Sequence, residues 1–152
     1  MIKIVNGNIL RAKEDIIGHQ VNCLGKMGAG LAKQIRAKYP KVYQEYKDIC
    51  RKRKPEDLLS LTQFVNVEDK TIVNIFSQLN YGTQSIQTDY VALEKCLYSI
   101  LHNVTVSYCK LYNKSIALPY GIGCGLAGGD WDKVYKMIDE VFKDYEITLY
   151  KL

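Results

Sequence analysis

The chain has 152 residues, of which 47% are apolar and 24% charged, with a formal net charge of +5. That length buries a substantial core without covalent staples, and the composition is that of a globular protein. No apolar run approaches the ~20 residues of a membrane-spanning helix, and the opening MIKIVNGNIL lacks the apolar stretch and small-residue cleavage site of a signal peptide.

In chain order, Ile2–Val5 reads as a short strand entering the turn Asn6-Gly7-Asn8. Ile16–Val21 reads as a buried strand that delivers Asn22 and Cys23 to its C-terminal end. A glycine loop follows, with Gly25, Gly28 and Gly30 in LGKMGAGLA. From Met27 the pattern turns helical, with Leu31, Ile35 and Tyr39 at steps of four, until Pro40 breaks it. Val42–Arg53 reads as a second helix, and the basic run Lys47–Lys54 as its solvated face, with nucleic-acid contact the less favoured alternative. Leu58–Val67 and Thr71–Phe76 are rich in β-formers around the turn Glu68-Asp69-Lys70. The polar stretch Ser77–Thr88 is long enough for a functional loop. Thr88 or Asp89 caps a helix carrying Tyr90, Leu93, Leu97 and Leu101 on one face. The strand Ser115–Leu118 stops at Pro119. After a second glycine loop, Asp130 caps a helix with Trp131, Val134, Ile138, Val141 and Phe142 inward, and Glu146–Leu152 forms the last strand. Without repeats or a linker, residues 1–152 are expected to form one α/β domain, a mixed central sheet with helices on both faces. Ligands in such sheets bind at the C-terminal ends of strands, where both glycine loops fall.

Five cysteines without a CxxC pair speak against a disulfide framework or structural zinc site and for a reducing compartment, so a cytoplasmic location is expected. With only His19 and His102 as histidines, no metal centre is expected, and the sequence asks for no cofactor.

The second loop, ALPYGIGCGLAGGDW, carries the clearest chemistry. Five glycines fall within nine residues between Gly121 and Gly129, directly before a helix start. Glycine lets the backbone turn successive N–H groups toward one point, and such a cluster at a helix entrance favours a phosphate or pyrophosphate. Gly123 to Gly128 also fits GxGxxG, but one strand remains after it and the acidic residue expected at the next strand's end is missing, so a nicotinamide-linked Rossmann enzyme is rejected. A P-loop fails for want of GKS or GKT. Cys124 lies within the cradle, yet Lys114–Asp132 contains no arginine to hold a phosphoryl group, so a small residue fitting among glycines is the better reading than a phosphatase nucleophile. His19 is a candidate acid or base, with a satisfied core histidine as the alternative. Asn22 can bond a ribose hydroxyl or a water, and Asp130 is either a helix cap or a carboxylate beside the ligand.

The two glycine loops, NCLGKMGAGLA and PYGIGCGLAGGDW, together with VNGNIL at the start, resemble those of macrodomains over essentially the whole chain. The resemblance is to the branch holding an ADP-ribose glycohydrolase and deacylase and the yeast-type ADP-ribose 1″-phosphate phosphatases. It implies a three-layer fold with ADP-ribose at the strand C-terminal ends. By the same resemblance Gly7, Asn8 and Ile9 lie near the adenine. Asn22, Gly28, Ala29 and Gly30 border the distal ribose, with Met27 also a ligand contact. Gly123, Cys124, Gly125, Leu126 and Ala127 wrap the diphosphate, Pro119, Gly121 and Ile122 are further ligand contacts, and Phe76, Ser77 and Gln78 complete the wall.

The chain also departs from that pattern. Asn8 replaces the usual aspartate of the first turn. Ser77 and Gln78 stand where the glycohydrolase has its lysine, and Ala127 where it has an aspartate. The lysine-linked mechanism is therefore not expected. His19 matches a histidine proposed as catalytic in the yeast-type phosphatase, which favours attack by water assisted by His19 or Asp130, with Asn22 orienting the ribose. The implied activity is hydrolysis of an acyl ester (as in O-acetyl-ADP-ribose), a 1″-phosphate or a protein carboxylate linkage from the distal ribose. The partners would be ADP-ribose or a derivative, including ADP-ribosylated protein, without nucleic acid or membrane. A non-catalytic ADP-ribose reader is the alternative, and an RNA-binding module a third.

Overall fold

The structure is a computed structural model that describes residues 1–82 and 84–152. Six strands, β1 (Ile2–Asn6), β2 (Ile16–Asn22), β3 (Thr62–Val67), β4 (Lys70–Gln78), β5 (Ile116–Pro119) and β6 (Ile147–Lys151), form one sheet in the order β1-β6-β5-β2-β4-β3. All neighbours are parallel except the β3–β4 hairpin. The helices are α1 (Gly30–Lys38), α2 (Pro40–Lys52), the single turn α3 (Pro55–Leu58), α4 (Tyr90–Thr105) and α5 (Trp131–Val141).

Alternation along the strands makes two cores. Ile16, Val73, Ile75, Ile116 and Leu118 pack against Leu93, Leu97 and Ile100 of α4 and Val134 and Ile138 of α5. Ile17, Val21, Ile72, Phe76 and Ala117 face Ile35 of α1 and Val42 and Tyr46 of α2. The result is the expected three-layer mixed α/β fold. No helix among the described residues is long and apolar enough to cross a membrane.

Local differences from the sequence reading have physical causes. Pro40 does not merely end a helix; it occupies the first turn of α2, where its missing N–H costs nothing. The strand expected from Leu58 begins at Thr62, because Pro55 starts a helical turn and Ser60 takes a left-handed φ of 80°. Helix α1 starts at Gly30 rather than Met27, whose side chain is drawn into the core. The expected 77–88 loop includes Thr83, which lies outside the described residues.

The feature that positions the site lies between β2 and β5. Their pairing covers only Ile16–Ile116 and Ile17–Ala117. Beyond that point the strands part, while β2 stays paired with β4 as far as Asn22. This is where the strand order reverses direction, the place where open α/β sheets hold ligands.

Candidate functional site

Over this gap opens a cleft of about 810 Å³, within the range of small-molecule sites. Its walls are the first glycine loop with the start of α1, and the second glycine loop after β5.

The second loop is folded so that its carbonyls turn into the protein. Ile122, Cys124, Gly128 and Gly129 donate back to the carbonyls of Pro119, Gly121, Gly125 and Gly123. Thr88 Oγ1 donates to the Gly123 carbonyl, and the Gln87 N–H to that of Ala127 at 2.8 Å. Among the described residues, the N–H groups of Gly121, Gly123, Gly125, Leu126 and Ala127 meet no protein acceptor. Five unpartnered donors on one loop form a cradle for an anion. Gly123 has φ +75°, and a Cβ there would sit 3.0 Å from Gln20 Oε1. A Cβ on Gly129 would come within 2.6 Å of the Gly123 carbonyl oxygen. Gly123 is crowded because the loop is laid directly on its support, and Gly129 because the loop folds back on its own Gly123 carbonyl.

That support is a polar network on the ends of β2 and β4. Ser77 Oγ donates to Gln20 Oε1 at 2.6 Å, and Gln20 Nε2 donates to Gln78 Oε1 at 2.9 Å and Thr88 Oγ1 at 3.0 Å. Ser77 is fully buried in this network and does not line the cleft, whereas Gln78 does.

Across the cleft, α1 begins without a side-chain cap, since its cap residue is Ala29. Its first-turn residues Gly30, Leu31 and Ala32 line the same space, which sets the positive end of the helix dipole beside the cleft. The first glycine loop is held by Asn22. Its Oδ1 accepts from the Leu24 and Lys26 N–H groups at 3.0 and 3.3 Å and lies 2.8 Å from the Tyr46 hydroxyl. Its Nδ2 donates to the Lys26 carbonyl at 2.7 Å. Asn22 lines the cleft with its Oδ1 occupied and, among the described residues, one amide N–H without a protein acceptor.

His19, at the cleft floor, is buried, and Nε2 lies 2.6 Å from Asn74 Oδ1 while the buried Nδ1 has no partner among the described residues. Burial lowers its pKa to about 4 against the opposing effect of the Asn74 bond, so the ring is neutral at physiological pH. Burial, and secondarily the negative charge of Asp130, pushes the Cys124 thiol up to about 11, the reverse of an activated nucleophile.

Of the residues singled out in the sequence, the cleft lining gathers His19, Asn22, Gly28, Ala29, Gly30, Gln78, Pro119, Gly121, Ile122, Gly123, Gly125, Leu126 and Ala127. Met27 and Phe76 are core residues beneath it. Cys124 Sγ donates to the Ile122 carbonyl at 3.4 Å rather than facing the cleft. Asp130 is exposed and caps α5 by accepting from the Asp132 N–H at 3.0 Å. Gly7, Asn8 and Ile9 lie outside the lining: Asn8 Oδ1 accepts from Leu10 N–H at 3.0 Å to cap a short 3-10 turn, and Ile9 is buried. The lining adds Gln20, Val21, Lys26, Leu31, Ala32, Tyr81 and Gly82. Gln20 was reachable from strand alternation, and Leu31 and Ala32 from starting the helix at Gly30; Tyr81 has no sequence signal. None of Lys47–Lys54 reaches the cleft.

A cleft at a strand-order switch, with an amide cradle on one wall and a bare helix start on the other, defines an α/β domain built to bind a phosphate-bearing ligand. The sequence model of the Macro domain matches residues 19–138, and the chain belongs to that family. It is 26% identical over 166 residues to a DNA ADP-ribosyl transferase–DNA ADP-ribosyl glycohydrolase fusion protein of Thermosipho africanus, covering 97% of this chain and 40% of that protein. It is 25% identical to an ADP-ribose 1″-phosphate phosphatase of Saccharomyces cerevisiae, covering 99% of this chain and 98% of the phosphatase. The chain thus spans about two-fifths of the first relative and nearly all of the second. The fold superposes on the macrodomain of Thermus aquaticus DarG with a TM-score of 0.81 at 23% identity, over 100% of this chain and 99% of that one.

Proposed function

We propose that residues 1–152 act as one macrodomain that binds ADP-ribose in the cleft and hydrolyses a group from its distal ribose. The observation that carries this reading is the row of unpartnered N–H groups at Gly121, Gly123, Gly125, Leu126 and Ala127, which matches the many acceptor oxygens of a diphosphate. The α1 start and the free N–H of Asn22 would receive the distal ribose. The leaving group would be an acyl ester, a 1″-phosphate or a carboxylate linkage, and the DNA-linked substrates named for the glycohydrolase relatives join these as substrates to test. We place the reaction in the cytoplasm.

Among the described lining residues, the titratable groups are His19, Lys26 and Tyr81. Neutral His19 would orient the attacking water or the ribose hydroxyl, with catalysis resting on positioning and fixed dipoles. Ser77, sealed in its network, would take no part in a covalent step. The lack of a carboxylate in that lining favours a second reading, a binding module without turnover.

Calorimetric titration with ADP-ribose, beside hydrolysis assays on O-acetyl-ADP-ribose and ADP-ribose 1″-phosphate, separates the two. Binding with turnover that His19→Ala abolishes supports the hydrolase. Binding without turnover supports the module, and no binding defeats both.

A further inference from the structure

Of the two residues able to cap α4, Asp89 takes that task, its carboxylate accepting from the Ala92 N–H at 3.0 Å. The other, Thr88, is buried and turns its hydroxyl to the second glycine loop. A Cβ on Gly123 would lie 3.1 Å from Thr88 Oγ1 and 3.3 Å from its Cγ2, so the loop rests on this side chain.

The proton positions beneath the loop follow from two backbone carbonyls, which can only accept. The Gly123 carbonyl requires Thr88 Oγ1 to donate. That spends the hydroxyl proton, so Thr88 Oγ1 accepts from Gln20 Nε2, at 3.0 Å. At the other end the Asn80 carbonyl requires Gln78 Nε2, at 2.7 Å, which turns Gln78 Oε1 to the second amide proton of Gln20, at 2.9 Å. Both ends give Gln20 the same orientation, with Oε1 left to accept from Ser77 Oγ. Gln20 lines the cleft, yet both of its amide protons are spent inside this network.

The series ends on the carbonyl of Gly123. Glycines shape the loop but do not fix which way each peptide points, because glycine accepts φ of either sign. Gly121, Gly123 and Gly128 all have positive φ. Rotating the Gly123–Cys124 peptide would carry its oxygen off Thr88, which lies outside the cleft lining, toward the side of the loop that forms it. An acceptor oxygen there would repel the anion that the neighbouring N–H groups attract. The same segment holds a second carbonyl, that of Ala127, through the Gln87 N–H at 2.8 Å.

We infer that Thr88, set by Gln20, is a positioning residue that keeps the Gly123 carbonyl turned out of the anion cradle. The consequence for ligand affinity rests on the ADP-ribose reading above; the orientation of the free loop does not.

Thr88→Val keeps the branched shape and removes the hydroxyl, and Thr88→Ser keeps the hydroxyl. In protein labelled with 15N-glycine the amides of Gly123 and Gly129 report the loop, since the Gly129 N–H donates to the Gly123 carbonyl at 2.9 Å. The free parent and Thr88→Ser should give sharp resonances for both glycines. Thr88→Val should give broadened or doubled ones, from exchange between peptide orientations. Calorimetric titration should show Thr88→Val binding ADP-ribose about fivefold more weakly, the size of one hydrogen bond, equivalent to about one-fifth of the loops remaining competent. Thr88→Ser should restore most of that affinity. A purely structural role would lower the urea midpoint of Thr88→Val and leave the resonances and affinity of the folded protein unchanged. That result overturns the inference, as does Thr88→Ser behaving like Thr88→Val. If Thr88→Val does not fold, Gln20→Met removes the partner that sets the Thr88 hydroxyl; it should broaden the same two resonances and weaken ADP-ribose, and parent-like values overturn the inference. Altered resonances with unchanged affinity overturn the consequence for the ligand alone. Glycine resonances as expected, with no ADP-ribose bound even by the parent, defeat the functional reading and that consequence together, by a result distinct from the others.

Discussion

Burying a neutral histidine on the cleft floor has a measurable cost in acid. His19 is held near a pKa of about 4 in the fold, against an ordinary value of 6.5, chiefly because burial penalises the imidazolium. Between those values the unfolded chain binds a proton that the native state refuses, so stability falls as pH falls. At about pH 5 the unfolded histidine is almost fully charged and the native one mostly neutral, which corresponds to a loss of roughly 2 kcal/mol relative to about pH 8. The limit, below both values, is roughly 3 kcal/mol. Asp15 is held below its ordinary 3.8 chiefly by the Ser115 N–H, with burial opposing. Its contribution is present above that value and lost only in stronger acid, outside this window. The assay is urea unfolding at several pH values across the window for the parent and His19→Gln. The parent should lose roughly 2 kcal/mol more than the variant between about pH 8 and pH 5. Parallel curves would show that His19 is hydrated or charged in the native state and would refute the argument.

Other predictions concern the second glycine loop. Gly123→Ala places a Cβ 3.0 Å from Gln20 Oε1 and 3.1 Å from Thr88 Oγ1 at a φ of +75°. It should cost on the order of 1–2 kcal/mol in chemical denaturation and weaken ADP-ribose at least tenfold by calorimetry, roughly the loss of one charge-assisted hydrogen bond; unchanged affinity would take the loop out of the ligand site. Asp130→Ala removes the α5 cap and should cost about 1 kcal/mol with ADP-ribose affinity retained. Collapse of turnover with binding intact would instead place that carboxylate in the reaction. With its thiol pushed up to about 11, Cys124 should alkylate slowly with iodoacetamide at neutral pH and faster as pH rises. Cys124→Ala should keep hydrolysis, and rapid alkylation at neutral pH would contradict the assigned environment.

Which parts of this site could be read along the chain depends on how locally each is determined. The strand–glycine loop–helix order at 116–141 is a local property: Pro119, the glycines and the cap at Asp130 each fix the backbone within a few residues. Asn22 was visible as a polar residue at a strand end, but its partners decide what it does. Tyr46 and the Lys26 backbone occupy its acceptor, and they come from α2 and the following loop. Ser77 at a strand end suggests access to a ligand until Gln20 and the overlying loop seal it.

The surroundings of His19 are the extreme case. The ring meets Asn74, which donates to Gln63, which donates to the Glu45 carbonyl, residues that only the assembled sheet and α2 bring into line. The parting of β2 from β5 after two paired residues likewise belongs to neither strand's sequence. Local chemistry builds the glycine-loop cradle, while long-range packing sets the surroundings of His19. Substitutions far from the cleft should therefore alter the reaction end of the site before they alter the phosphate end.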